Sequence, residues 1–359
     1  SLDGGKIKLS DYKNKVLVIV NVASRCGFTK QYDDLQNLWV NYRDKDLVVI
    51  GSASAHYSIL RSLSILGLGK KCFVPIPVDK NEIIDLNQLE SIYKKLIVQG
   101  KKVMCLIANA CATSTGLFDP LDQMGDFCEK YNIWFHVDGA HGASALVSNK
   151  NKKLVKGIEK ATSLIWDAHK MMGLPLNCSA FLVKDSELLA RLCAHGEVAH
   201  YLFHEDSKEI DLGRYSLQCG RRNDALKLWL AWRECGDAGW AKLVDRFMEL
   251  ADYLESRVQE HESLQMMSSR MWTNVCFRFA PQGFEGDLNE LNSEIRSRVM
   301  QNGNFMVSRS NVGDDVVFRS VITNPQITEQ TLDNFLQEIT RICHEVVRGM
   351  PSEHPFSSS

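Results

Sequence analysis

No excess of positive charge runs through this chain of 359 residues: 42 lysines and arginines stand against 44 aspartates and glutamates, a formal net charge of −2. Without a basic face there is no electrostatic footprint for a phosphate backbone, so nucleic acid is not expected as a partner. No apolar run is long enough to cross a bilayer. The longest near the start, "VLVIVNVA" from Val16 to Ala23, falls far short of the roughly 20 residues a spanning helix needs, so no membrane partner is expected. That run follows a lysine-rich stretch that also carries acids, unlike the leading region of a signal peptide, and the expected location is cytoplasmic. C-x-x-C is missing, and the eleven cysteines are scattered singly with an odd total. That usage fits a reducing compartment better than a disulfide framework. No internal repeat appears, and the one biased segment is the polar tail "PSEHPFSSS", expected to be disordered.

What is present is an ordinary globular composition, 45% hydrophobic and 24% charged, in a chain long enough for two cores. Short apolar runs alternate with amphipathic stretches. "DLVVIGS", "VMCLIANA", "IWFHVDGA", "SLIWDAHK" and "SAFLVKD" read as strands, with helical segments such as "PLDQMGDFCEKY" between them. Continuous apolar strands separated by helices predict an α/β fold with a mostly parallel sheet covered on both faces. From about Asp224 the pattern turns helical, and a smaller α+β unit follows through "NVCFRFA", "NFMVSRS" and "DVVFRSVIT". The expected break between the two lies near residue 245.

In open parallel sheets, ligands bind at the carboxyl ends of the strands. Three such ends carry chemistry: His56 after "VVIGSASA", Asp138 to His141 after "IWFHV", and Lys170 after "SLIWDAH". A lysine between a histidine and two methionines is unusual, because cores exclude lysine and surface lysines sit among polar neighbours. It is either a snorkelling side chain at a strand end or a nucleophile. Bland readings stand beside each candidate. Asp138 before Gly139 suits a turn, and His56 suits a hydrogen-bonded core histidine. His136, Asp138 and His141, or His200 with His204, raise a metal site, but no third ligand is specified and none is expected. "GLGK", Gly67 to Lys70, lacks the spacing of a phosphate loop and reads as a turn.

The run from about Val48 to Val347 resembles the group II pyridoxal-phosphate-dependent amino acid decarboxylases, which include glutamate, cysteine-sulfinate, aspartate and 2,4-diaminobutyrate enzymes. Eight pieces stand in family order: "SAHYS", "GLFDPL", "FHVDGAHG", "WDAHKMMG", "HYLF", "LQCGRRNDALKLWLAW", "TNVCFRF" and "FRSVITNP". The resemblance implies the fold-type-I transferase architecture, aspartate aminotransferase-like, with a large domain over 51–245 and a small α+β domain over 246–350. It implies pyridoxal 5'-phosphate (PLP) as cofactor, an amino acid substrate and a homodimer that shares its active sites. By residue, it makes Lys170 the Schiff-base lysine, in an apolar setting to which Met171 and Met172 contribute. Asp138 pairs with the pyridine nitrogen, His56 stacks on the ring and Ala140 packs its other face. His169 and Thr113 also contact the cofactor, Arg319 holds the substrate α-carboxylate, and Tyr201 reprotonates the substrate carbon from a mobile loop.

The chain departs from that pattern in places. The family usually has "DAAW" or "DAAY" where Asp138, Gly139, Ala140 and His141 stand, and G-T-T where Cys111, Ala112 and Thr113 stand. Upstream of the join, residues 1–50 resemble the start of a glutathione peroxidase, a thioredoxin-like βαβ fragment. Its peroxidatic cysteine matches Cys26, at a helix start that favours thiolate. The family's phosphate-cradling front region is correspondingly absent from the resemblance. The readings that follow are an amino acid decarboxylase, a non-catalytic remnant of one, and a thiol peroxidase through Cys26.

Overall fold

The computed structural model describes residues 46–79, 81–193, 212–218 and 220–349. They belong to two units, the larger formed by 42–186 with 221–359 and the smaller by 1–41 with 187–220.

The larger unit is built on two sheets. The first holds β1 (Leu47–Ser52), β2 (Phe73–Ile76), β3 (Lys102–Asn109), β4 (Trp134–Asp138), β5 (Ser163–Asp167) and β6 (Ser179–Val183) in the order β2-β1-β3-β4-β5-β6. Strands β1 to β5 run parallel, and β6 pairs antiparallel with β5. All six residues of β1 are buried, the continuous apolar pattern of a strand covered on both faces. Strand β2 was not legible in the sequence. It carries Pro75, which cannot donate to a ladder, and it survives because it lies at the sheet edge.

Helices α1 (Ser58–Ile65), α2 (Leu86–Val98) and α3 (Leu121–Tyr131) connect the parallel strands. Local chemistry sets their ends. Asp85 caps α2 by accepting from the N–H groups of Asn87 and Gln88 at 2.9 and 3.3 Å. Asn132 closes α3 in the left-handed conformation, φ 51°. In the smaller unit the described residues form α4 (Leu188–Cys193) and a short 3₁₀ turn at Leu212–Tyr215.

Helix α5 (Asp224–Gln259) then leads to the second sheet, interrupted at Gly236 (φ 64°, ψ 173°). Residue 245 lies inside this helix. Beyond the interruption, Trp240, Val244, Phe247, Ala251, Leu254 and Val258 recur at three- and four-residue steps and are all buried, one stripe facing the core. The second sheet is antiparallel, β7 (Leu264–Met266), β8 (Asn274–Phe279), β9 (Ser308–Val312) and β10 (Asp315–Val321), in the order β7-β8-β10-β9. Helices α6 (Leu288–Asn302) and α7 (Glu329–Gly349) complete it, α6 capped by Asp287. Apolar residues of both sheets join one hydrophobic cluster. Among the described residues no helix is long and apolar enough to cross a membrane.

Candidate active site

The parallel strands β3, β4 and β5 end side by side in Asn109, Asp138 and Asp167. A cavity of about 390 Å³ opens at this edge, within the range of small-molecule sites. His56, Thr113, Asp138, Ala140, His169, Lys170 and Arg319 all line it. The structure thus brings together every described residue to which the resemblance gives a cofactor or substrate role. Tyr201 and Cys26, and the histidine pair His200 and His204, lie outside the described residues.

Lys170 sits one turn beyond β5, its N–H bonded to the Asp167 carbonyl at 2.9 Å. Met171 and Met172 are buried in the core, but they do not make the lysine's surroundings apolar. Its Nζ lies 3.2 Å from Asp167 Oδ2, and its side chain is 42% exposed. The expected dry setting is therefore corrected: the neighbour of the ammonium is a carboxylate three residues back. The same Asp167 oxygen lies 3.8 Å from His169 Nε2.

Asp138 accepts the Ala140 N–H on Oδ1 at 3.2 Å. His56 is fixed through Nδ1, 2.9 Å from Ser58 Oγ, and partial burial lowers its pKa while Asp138 opposes the shift. Arg319, on β10, donates from Nη1 to the Thr113 carbonyl at 2.5 Å, and Asn274 Nδ2 reaches that oxygen at 3.4 Å. Cys276 Sγ adds a bond to the Ser114 carbonyl at 3.2 Å. The second sheet thereby grips the loop that follows β3. Beneath that loop, buried Asp119 of "GLFDPL" accepts from the backbone N–H groups of Asn109 (2.7 Å) and Ile84 (3.1 Å), and burial pushes its carboxyl up to about 6.

The departures from the resembled pattern have structural reasons. A Cβ on Gly139 would stand 2.7 Å from both Ala143 Cβ and Leu164 Cδ1, so this floor has no room for alanine. Cys111 holds the left-handed conformation, φ 80°, that glycine adopts freely. Its Sγ lies 3.4 Å from His141 Nδ1, which also receives the indole N–H of buried Trp272 at 3.0 Å. Burial, reinforced by the charges of Lys170 and Arg319, pulls His141 down to about 4. Among the described residues no group of three potential metal ligands forms, and His136 Nδ1 is 2.8 Å from Ser163 Oγ.

Sequence reasoning assigned no role to Asn109 or Asn274, although both line the cavity. Four buried polar atoms on its wall have no hydrogen-bond partner among the described residues: Asn109 Nδ2, His141 Nε2, Asn274 Oδ1 and Arg319 Nε. Buried polar groups are rarely left so, and the donors among them, Arg319 Nε and Asn109 Nδ2 on the same cavity as Lys170, fit a polar ligand carrying anionic groups, while Asn274 Oδ1 is left to accept from a donor. PLP is such a ligand, and the residues present fit it.

Comparison with known proteins agrees with this geometry. Residues 10–280 match the pyridoxal-dependent decarboxylase conserved domain, and the chain belongs to that family. The match begins at residue 10, inside the segment that resembles a glutathione peroxidase. The acidic amino acid decarboxylase GADL1 of Bos taurus is 33% identical over 306 residues, covering 82% of this chain and 58% of that protein. The chain thus spans less than two thirds of that relative's length. The crystal structure of mouse CSAD superposes with a TM-score of 0.78 at 29% identity, covering 89% of this chain and 71% of that one. Oryza sativa TDC, solved with PLP and tryptamine, gives 0.79 at 22% identity over 91% of this chain and 70% of its own, a likeness of fold. The fold is that of the fold-type-I, PLP-dependent decarboxylases.

Proposed function

We propose that this chain catalyses the PLP-dependent α-decarboxylation of an amino acid, either an acidic one or 2,4-diaminobutyrate. One observation carries the reading. An amine (Lys170), a carboxylate (Asp138), an imidazole (His56) and a guanidinium (Arg319) meet in one cavity, although they come from separate strands of two sheets.

When bound, PLP supplies an electron sink that lets the bond between Cα and the carboxylate break. The chain's own residues do the rest. Lys170 offers the amine that holds the cofactor, and the Asp138 carboxylate accepts the proton-bearing ring nitrogen. His56, Ala140, His169 and Thr113, which line the same cavity, would contact the bound group. Arg319 orients the substrate carboxylate, for which a planar guanidinium is suited. Tyr201 would hold the proton that replaces the lost carboxylate on the substrate carbon.

The reading includes a large cofactor-binding domain and a small domain divided near residue 245. It also includes a homodimer with shared sites, supported by Leu226, Trp229 and Leu230, which expose about half of their surface on α5. A cytoplasmic location belongs to the same reading, supported by the nine described cysteines, all free thiols.

The test is an absorbance titration with PLP, followed by borohydride reduction and peptide mass mapping. A visible band with the adduct on Lys170 supports the reading. Carbon dioxide release from aspartate, glutamate, cysteine sulfinate and 2,4-diaminobutyrate then selects the substrate. No band, or label spread over surface lysines, would reduce the resemblance to ancestry without activity.

A further inference from the structure

We propose that His141 is a fixed, uncharged hydrogen-bond donor to an anionic oxygen of the ligand in the cavity. The argument starts from Trp272. An indole N–H can only donate, so its 3.0 Å bond to His141 Nδ1 requires a lone pair there. The Cys111 thiol, 3.4 Å from the same nitrogen, can donate or accept and is compatible with either tautomer. An imidazole with its lone pair on Nδ1 carries its proton on Nε2. The Trp272 indole therefore sets the tautomer.

That Nε2–H is buried and has no acceptor among the described residues. Such a donor is costly to leave unmade. Nor does the wall supply its partner, because Asn274 Oδ1, a buried acceptor on the same cavity, is itself unpaired. Two cations stand near the ring, in a cavity that the Asp138 carboxylate also lines. Lys170 and Arg319 both act on the ring, and Arg319 Nε is a second unpaired donor. The missing acceptor must then arrive with the ligand, and an anionic oxygen suits both unpaired donors, His141 Nε2–H and Arg319 Nε–H. On this proposal, polar recognition stands at position 141, where the resembled pattern has an aromatic ring. The proposal rests on the cofactor reading above, which supplies two sources of such an oxygen: the cofactor phosphate and a substrate carboxylate.

The experiment compares the full chain with His141→Gln, which keeps an acceptor and a donor, and His141→Phe, which keeps only a ring. One arm measures how much more tightly PLP binds than pyridoxal, which lacks the phosphate, by absorbance and by the reduced adduct on Lys170. The other measures how well glutarate, a dicarboxylate, protects Lys170 from that reduction. In His141→Phe one of the two is expected to weaken by about tenfold or more, while His141→Gln stays within about threefold. A loss in the first arm assigns the oxygen to the phosphate, and a loss in the second to a carboxylate. Equal values for wild type and His141→Phe in both arms would overturn the proposal, as would a Gln variant as weak as the Phe variant.

Failure of the cofactor reading is separable. If wild type gives no adduct on Lys170, the thermal upshift produced by inorganic phosphate or by glutarate alone still reports the donor. It should shrink in His141→Phe and persist in His141→Gln, and an unchanged upshift in His141→Phe would overturn the proposal. Should His141→Phe not fold, Trp272→Phe keeps the histidine but releases its tautomer. A loss of about twofold is expected there, and unaltered binding would refute the fixed orientation.

Discussion

Asp119 and His141 are buried titratable groups whose folded-state protonation is displaced in opposite senses across the same pH window. The carboxyl rises from 3.8 to about 6, and the imidazole falls from 6.5 to about 4, each chiefly because burial penalises charge. Between pH 4 and 6 the folded chain holds the Asp119 proton that the unfolded chain has lost, so this group's contribution declines as pH rises. The folded chain lacks the His141 proton that the unfolded chain holds, so that contribution grows as pH rises. Each is worth about 3 kcal/mol at full extent, and they nearly cancel.

Removing either group should therefore uncover the other. His141→Phe is expected to make stability fall with rising pH, and Asp119→Asn to make it rise. The Asn variant also carries a pH-independent loss of about 1–3 kcal/mol, since its amide nitrogen would face the Asn109 N–H. Urea unfolding at pH 4 and pH 6 reads both slopes. Parallel profiles for wild type and both variants would contradict the assignment.

Gly139→Ala installs the residue of the resembled pattern where its Cβ meets Ala143 Cβ and Leu164 Cδ1 at 2.7 Å. A loss of about 1–3 kcal/mol is expected from overpacking. Ala143→Gly in the same chain should recover part of it, because one of the two colliding atoms is gone. A double variant no more stable than Gly139→Ala would show that the Ala143 clash does not carry the cost.

At position 111 the backbone asks for glycine. Cys111→Gly should be more stable than Cys111→Ala by about 1 kcal/mol, because both lose the sulfur but only alanine keeps the left-handed strain. Thermal melts of the pair decide it, and equal stability would mean that the φ of 80° costs little.

Arg319→Lys preserves charge but removes the fork that spans the Thr113 carbonyl and the cavity. With a substrate from the decarboxylation panel, KM should rise by about tenfold or more, with kcat less affected. An unaltered KM would release Arg319 from carboxylate binding.

Much of this site was legible in the sequence, because polar residues at the ends of apolar strands mark the carboxyl edge of a parallel sheet. His56, Asp138 and Lys170 stand out on that ground alone. Other features could not be read. The Trp272 bond to His141 spans 131 residues, so the neighbour that gives the histidine its orientation is invisible locally. Asn109 and Asn274 are unremarkable letters until the fold leaves their side-chain atoms unpaired. The setting of Lys170 is different. Asp167 stood three residues upstream in the quoted stretch, at the spacing of one helical turn, and the two buried methionines drew attention to the wrong neighbours. In the fold, β2 and β7 were missed because four residues with a proline, and three residues alone, carry too little periodicity.

The loop after β3 is held by Arg319, Asn274 and Cys276, partners 206, 161 and 162 residues distant along the chain. During synthesis, everything from His56 to Lys170 emerges long before β10 exists. A nascent chain halted ahead of residue 319 would carry the nucleophile, its acid and its histidine, yet no enclosed pocket to make them selective. Contacts of such long sequence separation form late in folding. Enclosure of the cavity therefore waits on the C-terminal sheet, among the last parts of the chain to be made.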